Sequence, residues 1–215
     1  MEIILASSSP RRQQLIRKIV SNFTTIPSNF DETQLKETEH NPEKLVKKLA
    51  EGKALDVFNR FYKKDDKEFT VVGADTIVYF NGKILGKPKD RNDAIRMLQA
   101  LQNNSNEVYT GTCLIMKKEH SIVIETFFDK TTVYFKPMEY QEILHYVNTG
   151  EPLDKAGAYA VQGIGKDYLK GFDGDYDSTI GLSTSKIKSV SDKYDILGKR
   201  RFVINESEVS EQVRV

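Results

Sequence analysis

Tryptophan is absent and cysteine nearly so: the one thiol, Cys113, excludes an internal disulfide framework and points to a reducing compartment. Its neighbours Thr112, Leu114 and Ile115 make it read as a buried strand residue, not a reactive thiol. Neither sign of charge is in excess, because 32 lysines and arginines face 31 aspartates and glutamates for a net charge of +1. No broad field therefore draws the chain to nucleic acid or an anionic membrane, and any affinity for anions has to be local. His40, His120 and His145 stand far apart and no H-E-x-x-H or C-x-x-C spacing occurs, which argues against zinc. No apolar run is long enough to span a bilayer and no basic-then-apolar leader precedes the first strand, so a cytoplasmic protein is expected, with neither membrane nor nucleic acid as partner. Neither G-x-G-x-x-G after the first strand nor G-x-x-x-x-G-K-[ST] is present, which disfavours a dinucleotide enzyme or a P-loop kinase.

What is present begins at the N-terminus. The apolar run Ile3-Ile4-Leu5-Ala6 has strand character and meets Ser7-Ser8-Ser9, then Pro10, then Arg11-Arg12. Ser9 is a good helix N-cap and proline suits the first helical position. Two arginines in a first helical turn oppose the helix dipole and call for an anion, and guanidinium matches phosphate oxygens in bidentate fashion. A capped surface helix with solvated arginines is the plain alternative.

Further along, helices are expected over 10–20 and 42–61, the latter capped by Asn41, with a strand at 23–26 and a carboxylate-bearing loop at 28–40. The second helix carries a misfit: its apolar stripe Val46, Leu49, Lys53, Val57 places a lysine on the inward face, so Lys53 either snorkels or points into an anion site. Phe69 to Gly73 reads as a central strand that runs on into Ala74-Asp75-Thr76, and Asn81-Gly82 marks a hairpin. Asp75 thus lies inside or at the end of an apolar strand, where a carboxylate needs a pair or a metal. A solvated turn is expected at 63–67, a rigid basic turn at Gly86-Lys87-Pro88, and a helix through Ala94, Met97, Leu98 and Leu101. Three strand-like runs at 107–116, 121–128 and 131–135 follow, then a helix through Tyr140 to Val147, a glycine-dense stretch from Glu151 to Leu182, and a last helix bearing Ile187, Val190, Tyr194 and Leu197. Glycine beside Asp154, Lys155 and Gln162 suggests backbone close to a ligand, with tight turns between short strands as the alternative.

The ordered blocks Leu5-Ala6-Ser7-Ser8-Ser9-Pro10-Arg11-Arg12, Gly73-Ala74-Asp75-Thr76, Gly86-Lys87-Pro88, Tyr109-Thr110-Gly111 and Asp154-Lys155-Ala156-Gly157-Ala158-Tyr159 resemble the motifs of the Maf family of nucleotide pyrophosphatases, relatives of the inosine triphosphate pyrophosphatases. The resemblance implies a single α/β domain over 1–203, with a long bent mixed sheet and a nucleotide cleft, followed by a polar tail at 204–215. It implies hydrolysis of a nucleoside triphosphate between the α and β phosphates, to monophosphate and pyrophosphate, with Mg²⁺ or Mn²⁺. Carried over residue by residue, it gives catalytic roles to Asp75, Lys53 and Lys87, substrate contacts to Ser7, Arg12, Thr76, Gln162 and Lys155, and metal ligation to Glu32 and Asp75. Arg12, Thr76 and Gln162 resemble the branch acting on dTTP, UTP and related pyrimidine nucleotides, and a homodimer is expected. A non-catalytic nucleotide-binding regulator of division or growth is the alternative. Two places depart from the family pattern. Gly181-Leu182-Ser183-Thr184 replaces the usual Gly-Leu-Pro-Leu, and Gly52 stands mid-helix beside Lys53, where it costs about 1 kcal/mol and suggests a local bend.

Overall fold

Alternation along the strands decides how this chain layers. In the computed structural model, which describes residues 1–62, 67–119 and 121–197, β1 (Glu2–Leu5) lies parallel to β2 (Thr24–Thr25) and to the first part of β3 (Phe69–Phe80). The Asn81-Gly82 hairpin, both residues at positive φ, returns the chain as β4 (Lys83–Leu85). The long strands β5 (Ser105–Lys118) and β6 (Ser121–Phe135) extend the sheet antiparallel, and β7 (Leu169–Asp173) closes it in the order β2-β1-β3-β5-β6-β7, with β4 beside β3. The result is a mixed seven-stranded sheet in a single α/β domain.

Odd-numbered residues of β3 and β5, such as Val71, Cys113 and Ile115, face α3 (Pro42–Tyr62), whose Ala50, Ala54 and Val57 cover them. Even-numbered residues such as Val72, Ala74, Leu114 and Met116 face α1 (Pro10–Ile16), α4 (Arg91–Leu101), α5 (Tyr140–Asn148) and α7 (Thr184–Tyr194). Two glycines set how closely α3 lies on the sheet. A Cβ on Gly73 would stand 2.3 Å from the Ala50 carbonyl oxygen, and one on Gly111 would stand 2.1 Å from that of Val46. Only glycine lets the helix backbone rest directly on the two strands.

Several expectations shift. Helix α1 stops at Ile16, not at 20, because 3-10-type bonds such as Lys18 N–H to Leu15 O tighten the chain there. The expected loop at 28–40 contains a helix, α2 (Thr33–Thr38), whose Leu35 packs against the α3 cluster; six residues are too few to show an apolar period. The runs at 121–128 and 131–135 are one strand, since the β5 ladder continues through Asp129 and Lys130. Helix α3 continues through Gly52, and that glycine makes room for the Phe30 ring, whose tip would lie 2.5 Å from an added Cβ. The short helix α6 (Tyr176–Ile180) lies in the glycine-dense stretch. Cys113 is fully buried, and burial pushes its thiol up to about 12. The expected tail at 204–215 and residues 63–66 of the expected turn lie outside the described residues.

Candidate functional site

The cleft opens where one edge of β3 changes partner. Val72 is the last β3 residue paired with β1 and Val78 the first paired with β4, while β5 pairs with the other edge throughout. Asp75 and Thr76 fall in that interval, and the hydroxyl corner after β1 opens beside it, at the carboxyl end of a parallel pair. The cavity has a volume of about 1000 Å³, at the upper end of the usual range for a ligand site. Ser7, Arg12, Glu32, Lys53, Asp75, Thr76, Lys87, Lys155 and Gln162 all line it, so the sequence-predicted residues converge on one place.

Because strand side chains alternate, Asp75 faces α3 and Thr76 faces α1. On the α3 side, Lys53 Nζ donates to Asp75 Oδ1 at 2.5 Å and to Glu32 Oε1 at 2.7 Å. Asp75 is 7 % exposed, so the cost of burying its charge is met by this partner. The close contacts at Gly73 and Gly111 explain the reach: α3 touches the sheet at Ala54, one residue past Lys53, against Gly73, two residues before Asp75. Lys36 of α2 caps the row by pairing with the same Glu32 carboxylate. Burial raises the Glu32 pKa, but hydrogen bonds from Lys36 and Lys53, with their charges, outweigh it and hold the carboxyl below its ordinary value.

On the α1 side the side chains around Thr76 are neutral except for one guanidinium, that of Arg12. Ser9 caps α1 by accepting from Arg12 N–H, with Pro10 in the first turn. Arg12 Nε donates to the Gly181 carbonyl at 2.8 Å, its Nη2 to Thr76 Oγ1 at 3.3 Å and its Nη1 to Ser7 Oγ at 3.5 Å. Thr76 and Thr110 share a 2.9 Å hydroxyl contact, and Thr110 donates to the Ser178 carbonyl at 2.7 Å. A guanidinium can only donate and a carbonyl can only accept, so the chain runs one way, from Arg12 through Thr76 and Thr110 to Ser178. Burial lowers the Arg12 pKa, opposed chiefly by the charge of Asp75. Ser7 Oγ also accepts the Ser9 amide at 3.2 Å.

The outer rim is basic. The Gly86-Lys87-Pro88 turn is tied to the Ala156–Ala158 turn through Gly157 N–H and Gly86 O, 3.0 Å apart, which brings Lys87 to the wall that carries Lys155. Asp154 accepts from Lys155 at 2.5 Å and faces Arg11 at 3.8 Å. Its pKa is lowered: the burial penalty is overcome by Lys155, then by the charges of Arg11 and Lys87. Arg11 is thus a rim residue paired with an exposed carboxylate, whereas Arg12 is fixed from three directions.

Sequence reasoning missed Lys36, Thr110 as part of the hydroxyl chain, and Glu151. Glu32 and Lys36 stand at i and i+4, a readable helical ion-pair signal inside a stretch taken for loop. Glu151 gave no signal, because the two amides its carboxylate binds lie thirteen and fourteen residues further along the chain.

Among the described residues, no group of three or more His, Cys, Asp or Glu side chains could hold a metal by itself. The pair Glu32 and Asp75 offers carboxylate oxygens within reach of one ammonium, a donor set suited to a hard divalent ion that completes its shell with phosphate and water. Also among the described residues, no helix is long and apolar enough to cross a membrane.

A Clostridium perfringens (strain ATCC 13124) protein named dTTP/UTP pyrophosphatase is 41% identical over 91% of this chain and 98% of its own length. A dTTP/UTP pyrophosphatase of Clostridium botulinum (strain Kyoto / Type A2) is 44% identical over 87% of this chain and 94% of its own. The solved structure of the Staphylococcus aureus Ham1 protein overlaps at 14% identity and a TM-score of 0.37, covering 79% of this chain and 80% of that one, a likeness too slight to bear on fold or function. With the Maf-like protein model matching residues 2–193, the chain belongs to the Maf family.

Proposed function

We propose that this protein hydrolyses pyrimidine nucleoside triphosphates, dTTP and UTP among them, between the α and β phosphates, releasing the monophosphate and pyrophosphate. The observation that carries this reading is the part-buried Lys53–Asp75–Glu32 row opening into the same cleft as the fixed guanidinium of Arg12. The names of the relatives support both the reaction and the pyrimidine preference.

The division of labour follows from the chemistry of each group. Arg12, Lys87 and Lys155, with Ser7, neutralise and orient the triphosphate. Lys53 holds Oδ1 of Asp75, which leaves Oδ2 to accept a proton from the attacking water. The water oxygen bonds to the α phosphorus as the α–β phosphoanhydride bond breaks, pyrophosphate leaves with the bonding electrons, and the proton rests on Asp75. Glu32 and Asp75 would hold Mg²⁺ or Mn²⁺, which when bound withdraws charge from the phosphates and favours ionisation of the water. Thr76 and Gln162 face the cleft as uncharged groups, suited to sugar and base. The test is a panel of triphosphates incubated with Mg²⁺ and the products separated. Pyrophosphate and monophosphate from dTTP and UTP are expected; orthophosphate with a diphosphate would overturn the cleavage position, and no turnover would overturn the reaction.

A further inference from the structure

The wall that carries Gln162 has little regular structure: Ala160 to Gln162 is irregular backbone, and Gly163 to Gly165 opens the 3-10 turn Gly163–Tyr168. Ala160, Val161, Gln162 and Gly163 all line the cleft without contributing a carboxylate or an ammonium. Irregular backbone of this kind holds its shape only where its amides are tied down. Here Glu151 and Tyr146 do the tying. Glu151 Oε1 accepts from Ile164 N–H at 3.2 Å and its Oε2 from Gly165 N–H at 2.8 Å. The Tyr146 hydroxyl, behind it in the core, accepts from Ala160 N–H at 3.2 Å, and burial, with the neighbouring Glu151 carboxylate, raises its pKa. The three anchored amides bracket Gln162 on both sides.

Two glycines exist to admit these anchors. Gly163 has φ +68°, and a Cβ there would lie 2.1 Å from Glu151 Oε1. A Cβ on Gly165 would lie 2.4 Å from the Tyr146 hydroxyl and 2.3 Å from the Ala160 carbonyl oxygen. Glu151 serves a second part of the site through its backbone, since its carbonyl accepts from Lys155 Nζ at 2.9 Å. One residue therefore ties the uncharged wall to a cation of the rim.

We infer that Glu151, backed by Tyr146, is a positioning residue for the pyrimidine nucleotide pyrophosphatase reaction: it clamps the Ala160–Gly165 wall so that Gln162 is held against the nucleoside half of the substrate. The inference rests on the proposed function and deepens it. Loosening a wall that meets only the uncharged half removes binding shared by ground and transition states, so it raises KM and leaves kcat nearly alone.

The experiment compares the wild type with Tyr146→Phe and Glu151→Gln, two near-isosteric changes, using dTTP as substrate and inorganic tripolyphosphate as a competitive inhibitor without sugar or base. For both variants KM for dTTP should rise about tenfold with kcat within about twofold, while the inhibition constant of tripolyphosphate stays within about twofold. Amide hydrogen exchange should quicken at 160, 164 and 165 ahead of the sheet. A parallel fall in kcat, an equal loss of tripolyphosphate affinity, or wild-type kinetics despite faster exchange would each overturn the clamp. Should Glu151→Gln fail to fold, Tyr146→Phe alone decides the matter by the same readouts. A wild type that does not turn over dTTP or UTP would instead sink the proposed function, so the two failures are distinct.

Discussion

The two sides of β3 at the cleft differ in kind. Toward α3, Asp75 ends a row of alternating charges, Lys36, Glu32, Lys53 and Asp75, in which every partner is a side chain. Toward α1, Thr76 belongs to a chain of hydroxyls pinned at its ends by the backbone carbonyls of Gly181 and Ser178, with Arg12 as its one charge. Ion pairs between side chains can be exchanged for a substrate's charges, whereas a guanidinium anchored on main chain keeps its direction whether or not a ligand is present. On the proposed reading, adjacent residues of one strand serve reactive and orienting surfaces, separated by the pleat alone.

The largest effect that would break this contrast comes from Asp75. Asp75→Asn keeps the size and an acceptor for Lys53 but removes the proton acceptor, and should lower kcat by about 10²–10⁴-fold with KM little changed, read as pyrophosphate release from a variant with a wild-type circular dichroism spectrum. A loss confined to KM would place Asp75 with the orienting side. Next come the arginines. Arg12→Ala removes charge-assisted bonds worth about 1.5–3 kcal/mol and should weaken kcat/KM by about 10–100-fold, whereas Arg11→Ala, which gives up a 3.8 Å rim contact, should stay within about threefold. The reverse order would mean that anchoring on backbone does not mark the residue that meets the nucleotide.

The smallest effect sharpens the comparison through pH. The folded pKa of Glu32 lies below its ordinary 4.5, so its contribution to stability is present above that value and is lost as pH falls through the lower folded one. Glu32→Gln should therefore reduce the urea-unfolding free energy by about 1 kcal/mol at pH 7, with the gap closing below about pH 4. A gap independent of pH would mean that the row is held by packing and not by charge.

Much of the α3 side was legible because it breaks rules visible in one dimension. Lys53 interrupts an apolar stripe and Asp75 interrupts an apolar strand, and the structure joins these two irregularities to each other. The Asn81-Gly82 turn and the Asn41 cap were equally local, the cap appearing as Lys44 N–H to Asn41 Oδ1 at 2.9 Å. What stayed hidden depends on contacts between distant segments. Gly52 admits Phe30, and Gly73 and Gly111 admit the α3 backbone; nothing beside them in sequence says what fills the missing Cβ. Helix α2 is held to α3 by Leu35, too little to impose a period, and Glu151 acts on amides thirteen and fourteen residues away.

The one-way hydroxyl chain also fixes where protons are available. Thr76 has given its hydrogen to Thr110, because that of Thr110 is committed to Ser178 O, so Thr76 can offer a ligand only a lone pair. Ser7 accepts from the Ser9 amide and from Arg12, and among the described residues no acceptor takes its own hydrogen. Of two hydroxyls on either side of the same guanidinium, Ser7 can give a hydrogen to a bare phosphate oxygen. Thr76 can meet only a group that brings one, such as a hydroxyl or a ring N–H, so the two sides of the Arg12 guanidinium offer a ligand opposite hydrogen-bond polarity.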